Sequence, residues 1–216
     1  MRRPLLAGLL PLAVLAVSCE AEPEATHSPV AQHPCVVGEG TGDEKLLQAA
    51  LRTERFELRY SPAESLVQRL EQDLRRMKPG ASTVARDMCH YLPEPSSGSG
   101  RVTIDLSWTS PGLLDRSGVP QERYTPYTVN GVAAEATDII AKFRIPCRLP
   151  GDLEQPSKEA LLRAALGNTR SIGRDDPETQ KRHITLLYGM AQRAVEAMGC
   201  ENEPLQGEPV VQPGKR

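Results

Sequence analysis

Large aromatic side chains are scarce in this 216-residue sequence, which has one Trp, two Phe and five Tyr. A core with so few rings must come from Leu, Val, Ile and Ala, and covalent cross-links then gain weight in its stability. No apolar run is long enough to cross a bilayer: Leu5 to Val17, interrupted by Gly8 and Pro11, falls short of the roughly 20 residues a spanning helix needs. Positive charge is not in excess either, with 26 Lys and Arg against 28 Asp and Glu. That balance excludes the electrostatic footprint of a nucleic-acid partner or of attraction to an anionic bilayer surface. A Gly-x-Ser-x-Gly elbow, a Ser-x-x-Lys pair and a phosphate loop ending in Lys-Ser/Thr are all missing. Histidine is sparse, at His27, His33, His90 and His183, and no two sit at metal-ligand spacing. No metal or other cofactor is therefore expected.

What is present begins at the N-terminus. Met1-Arg2-Arg3 precedes the apolar run, and Ala16-Val17-Ser18-Cys19 closes it. This is the pattern of a secretory signal, residues 1–18. Small residues before Cys19 admit two outcomes: ordinary cleavage and free secretion, or lipidation of Cys19 as the new N-terminus. Cysteine parity favours the lipid. Of Cys19, Cys35, Cys89, Cys147 and Cys200, lipidation removes one and leaves four for two disulfides in an oxidising compartment. The expected partner of the N-terminus is thus the membrane, through its lipid, and the expected location is the extracytoplasmic face.

Residues 19–34 are polar and rich in Pro and Ala, and are expected to form a flexible tether. Residues 35–200 are expected to be one domain, and 201–216, with Pro204, Pro209 and Pro213, a disordered tail. Within the domain, alternation marks strands at 55–60, 102–109 and 138–147, the last with Ile139, Ala141, Phe143 and Ile145 inward and Lys142 and Arg144 in water. Helical spacing is read at 43–53, 62–78, 83–92, 157–166 and 177–198; Asp176 caps the last, Pro177 fills its first turn and Gly199 ends it. Residues 110–130 read as a long Pro/Gly/Tyr loop, with an edge strand near Tyr127. The expected fold is α+β: a small, mainly antiparallel sheet of three or four strands with helices packed on one face. Four cysteines allow three pairings. Cys35–Cys89 with Cys147–Cys200 is preferred, and Cys35–Cys200 with Cys89–Cys147 is the main rival.

Gly38-Glu39-Gly40-Thr41-Gly42 before a helix lacks the residues of a phosphate cradle, and Glu39 and Asp43 would repel phosphate. Ser97-Gly98-Ser99-Gly100 is a linker without strand-to-helix context. The candidate binding loop is 115–130, with Arg116, Arg123, Tyr124 and Tyr127, residue types favoured at binding hot spots; alternatively Tyr124 and Tyr127 simply cover the sheet. Without catalytic signatures the reading leans to a non-enzymatic module that binds an envelope ligand or protein. One alternative is a cell-envelope hydrolase with a dispersed triad, recognisable by His90 or His183 close to a Ser and an Asp; the other is a freely secreted structural protein with no small ligand.

The Ala16-Val17-Ser18-Cys19 lipobox, the polar tether, Phe143-Arg144-Ile145-Pro146-Cys147 and Ala194-Val195-Glu196-Ala197-Met198-Gly199-Cys200 resemble secreted lipoproteins of actinobacteria, Streptomyces in particular. The resemblance implies an extracytoplasmic location and two disulfides, and transfers no activity.

Overall fold

The computed structural model describes residues 33–94, 100–113, 123–170 and 176–215. The expected signal, Cys19 and nearly all of the expected tether lie outside these residues.

Thr41 caps the first helix, α1 (Gly42–Leu51), by accepting from the Glu44 amide, while the Glu44 carboxylate accepts from the Gly40 N–H at 2.6 Å. The glycine-rich entry loop therefore spends its free amide on its own helix rather than on a phosphate. The chain then forms β1 (Phe56–Tyr60) and α2 (Ala63–Arg76), whose Leu66, Leu70 and Leu74 make the buried stripe. Four further strands lead into a β-hairpin neighbour: β2 (Arg86–Pro93), β3 (Val102–Thr109), β4 (Thr125–Val129) and β5 (Val132–Ala136), followed by β6 (Ile140–Ile145). A 3₁₀ turn at Gly151–Leu153 runs into the short α3 (Glu154–Lys158), then β7 (Leu161–Asn168), α4 (Pro177–Ala197) and β8 (Val211–Pro213). Asp176 caps α4 with bonds from the Glu178 and Thr179 amides, and Gly199 takes the left-handed conformation after its end.

The strands form one fully antiparallel sheet of eight, in the order β1-β2-β3-β7-β6-β5-β4-β8. This corrects the expected three or four strands. Two segments read as helices are strands. In β2, Met88 and Leu92 lie four apart, a spacing that a strand face satisfies as well as a helix does, and a bulge between Asp87 and Cys89 breaks the alternation that would have told them apart. Residues 157–166 are rich in Ala and Leu, good helix formers, but β7 occupies the centre of the sheet between β3 and β6. There burial on both faces turns a strand into a near-continuous apolar run. The strand expected near Tyr127 is β4, which is not at the edge because β8 pairs with its outer side; it turns into β5 at Asn130-Gly131, both with positive φ.

The segment after Cys200, expected to be disordered, returns to the sheet as β8 beside β4. Asn130 holds it: its amide donates to the Gln206 and Glu208 carbonyls and its Oδ1 accepts from the Val210 N–H. At the other end His33, assigned to the tether, is buried, packs at a tilt against Tyr60 with ring centroids 4.1 Å apart and bonds the Ser61 carbonyl. Ile139, expected inward, is 41% exposed. Cys35 is joined to Cys89 and Cys147 to Cys200.

The helices share one face of the sheet. α4 lies along β5, β6 and β7, with Tyr188 edge-on to Phe143, and α1 packs on α4. α2 is anchored on β3 by Trp108, fully buried, whose indole N–H donates to the Leu70 carbonyl at 2.9 Å. Trp108→Phe removes this bond and leaves a void, a cost of about 2 kcal/mol. A urea unfolding curve with a lower midpoint and unchanged slope is expected; an unshifted midpoint contradicts this role.

Candidate functional site

On β3, β5, β6 and β7 the residues that turn away from the helices are strongly polar. β3 presents Thr103, Asp105, Ser107 and Thr109, β7 presents Arg163 and Ala165, β6 presents Lys142 and Arg144, and β5 presents Glu135. The register sets their neighbours. Arg163 lies opposite Ser107 on one side and Arg144 on the other; Ala165 lies opposite Asp105 and Lys142; Lys142 lies opposite Glu135.

Two arginines are therefore side by side across the β6–β7 pair, a like-charge apposition that costs stability unless something offsets it. Each guanidinium reaches diagonally to a carboxylate. Arg163 meets Asp105 at 3.1 Å and Arg144 meets Glu135 at 3.2 Å; Arg163 also donates to the Ser107 hydroxyl at 3.4 Å. Ala165 and Gly167, the small residues beside them on β7, leave these long side chains room. A Cβ on Gly167 would come within 3.0 Å of the Thr103 hydroxyl.

This face is not the wet surface expected of it. Lys142 is only 2% exposed, Ser107 and Glu135 are buried, and Arg144 keeps about a third of its side chain in solvent. Lys142 donates to the Tyr124 hydroxyl at 2.6 Å and lies 4.1 Å from the centroid of its ring. Asp105, Tyr124, Glu135, Lys142 and Arg163 have further polar partners. A buried ammonium is tolerated only when it is paired in this way.

The four loop residues singled out from the sequence do not form one surface. Arg116 lies outside the described residues, and Arg123 is exposed. Tyr124 joins the charged face through Lys142. Tyr127 points the opposite way, buried under α4, where its hydroxyl donates to the Gln180 side-chain oxygen at 2.8 Å and burial raises its pKa. Alternation of Ala141, Phe143 and Ile145 with Lys142 and Arg144 does locate the charged face. Its density becomes visible only when Arg163 is placed on a strand.

Neither histidine of the hydrolase alternative meets a serine among the described residues. The nearest carboxylate oxygen of Asp87 is 3.7 Å from His90 Nε2. His183 is buried beneath the sheet with Nε2 3.0 Å from the Asn168 amide nitrogen, and its Nδ1 has no hydrogen-bond partner. Desolvation by burial pulls its pKa down to about 4; the charge of Arg182 adds to the fall and Asp138 opposes it. Among the described residues no group of three His, Cys, Asp or Glu side chains could hold a metal ion, and no helix is long and apolar enough to cross a membrane. Comparison with protein-family models, with curated proteins and with solved structures finds no match to this chain.

Proposed function

We propose that this chain is a non-enzymatic binding module, held by a lipid on Cys19 at the extracytoplasmic face of the membrane, whose ligand surface is the charged sheet face around Arg144 and Arg163. The observation that carries the reading is the Arg144–Arg163 apposition on a rigid central part of the sheet. Guanidinium groups present planar forks of N–H donors that match carboxylate and phosphate oxygens. Arg144 is the accessible member of the pair, so the ligand class is an anion bearing carboxylate or phosphate groups, as envelope polymers do. Asp105 and Glu135 hold the two forks in place before the ligand arrives, which lowers the ordering cost of binding.

Isothermal titration of the mature protein with succinate and with inorganic phosphate tests the surface. Saturable binding of one of them, weakened at least about 10-fold by Arg144→Gln, is expected from the loss of one charge-assisted contact. No saturable binding of either, or equal affinity in the variant, overturns it. The anchor has its own test. Mass spectrometry of the exported protein should find a diacylglyceryl group on an N-terminal Cys19, two acyl chains being enough for stable attachment where one is marginal. An unmodified N-terminus excludes it.

A further inference from the structure

The outer strand β1 carries an unused edge whose chemistry is complementary to itself. The Ser61 amide donates to the Met88 carbonyl and the Glu94 amide to the Arg55 carbonyl, which sets the phase of the β1–β2 ladder. Residues 55, 57, 59 and 61 exchange bonds with β2, so Phe56, Leu58 and Tyr60 turn their N–H and C=O groups outward. Nothing among the described residues bonds to these groups. Such an edge is usually guarded by Pro, a bulge or like charges. Residues 56–60, Phe-Glu-Leu-Arg-Tyr, contain no Pro and no Gly, and their two charges are opposite in sign.

A second copy laid antiparallel about a two-fold axis at Leu58 puts Leu58 opposite Leu58, Phe56 opposite Tyr60 and Glu57 opposite Arg59. The first two pairings fall at hydrogen-bonded positions, so every outward backbone group finds a partner. The Glu57–Arg59 pairing falls at the non-hydrogen-bonded positions, where facing Cα atoms approach to about 4.5 Å and side chains meet most closely. A shift of one residue in either direction breaks both the ladder phase and the charge match. On the helix side the same docking covers Phe56 and Leu58, which are half-buried, and Tyr60, which is 40% exposed. Among the described residues Glu57 and Arg59 pair only with each other, at 2.7 Å and well exposed, an arrangement that contributes little to stability and is free to exchange for the partner.

We propose that β1 is a homodimer interface: two copies of this chain join edge to edge about a two-fold axis at Leu58, making one continuous antiparallel sheet with the charged faces of both subunits on the same side. This is an isologous contact that closes on itself, so it stops at two copies.

Sedimentation equilibrium of the mature exported protein, with Arg59→Glu and Glu57→Arg made separately, tests it. Both substitutions lie on exposed side chains, so the fold persists. The wild-type protein is expected to associate to a dimer and no further. Each charge reversal places like charges opposite one another at both junctions and should weaken association at least about 10-fold. Mixing the two variants restores Glu opposite Arg at both junctions, so a heterodimer of wild-type strength is expected. A wild-type protein that stays monomeric up to about 0.5 mM, a regime weaker than any specific dimer of use to a cell, overturns the proposal. So does a single variant that associates as the wild type does, or a mixture no stronger than its components.

Discussion

Replacing Cys35 and Cys89 together by Ala should lower the unfolding free energy by about 4 kcal/mol, and replacing Cys147 and Cys200 should cost the same. The two bridges close loops of almost equal length, with sequence separations of 54 and 53, and the chain-entropy account depends on length alone. Equal costs also require that the native ends stay in place when the sulfur bond is gone, and non-covalent contacts around each bridge meet that requirement. At the first, Arg193 donates to the Pro34 carbonyl and the Tyr91 hydroxyl to the Cys35 carbonyl. At the second, the Arg148 amide donates to the Asn202 side chain and the Glu201 amide to the Arg148 carbonyl. The loss therefore falls mainly on the unfolded state, which becomes larger and exposes more surface. Urea unfolding should show a lower midpoint together with a steeper slope in each double variant. A loss under about 1 kcal/mol, or a slope that falls, contradicts the entropic account.

Two bridges were legible in the sequence from counting, since five cysteines with one set aside for the expected lipid leave two pairs; the pairing was a preference among three, made although the segment carrying Cys89 was read as a helix. The ends of α4 were legible from local context, since Asp176, Pro177 and Gly199 act on backbone groups within a few residues of themselves. β2 and β7 were not. Leu and Ala in 161–166 favour a helix when considered locally, and only the pairing with β3 and β6, at 102–109 and 140–145, makes that segment a strand. Helix for strand at those two positions removes β7 from the middle of the sheet and β2 from beside its edge, and β5 and β8 went unread as well, which is why the sheet was expected to be half its size. A strand near Tyr127 was read, but its hairpin partner β5 was not, although Asn130-Gly131 is the dipeptide that marks the turn between them. Alternation placed Lys142 and Arg144 on the face away from the helices. It could not say that this face is partly buried or that Arg163 stands beside Arg144, because both depend on β7 being a strand.

Acidification should destabilise the fold through His183, by about 2 kcal/mol between pH 6.5 and 5 and about 3 kcal/mol in all, as its folded pKa of about 4 lies well below the unfolded value. The unfolded chain binds the proton first, so this contribution is fully present above pH 6.5 and is lost as pH falls through the folded pKa. Desolvation by burial is the main reason the folded state resists the proton, and the hydrogen bonds around Asn168 show where the proton would have to go. The Asn168 side-chain oxygen accepts from the Arg170 amide, and its nitrogen donates to the Ala50 carbonyl. Turning the amide over would set donor against donor and acceptor against acceptor. Its nitrogen must therefore face His183 Nε2 as a donor, which leaves Nε2 unprotonated and puts the single ring hydrogen on Nδ1, where it has no partner. A second proton has no place to go but Nε2, and there it breaks the contact that joins α1, β7 and α4. His183→Leu removes the titration while keeping the site filled. The variant's stability curve should be flatter than the wild type's between pH 6.5 and 5, a window chosen because most carboxylates do not yet titrate in it. His33, whose pKa burial also lowers, remains in both proteins and cancels in the difference. Parallel curves over that window, or an imidazole nitrogen spectrum that places the neutral hydrogen on Nε2, would show that His183 does not act in this way.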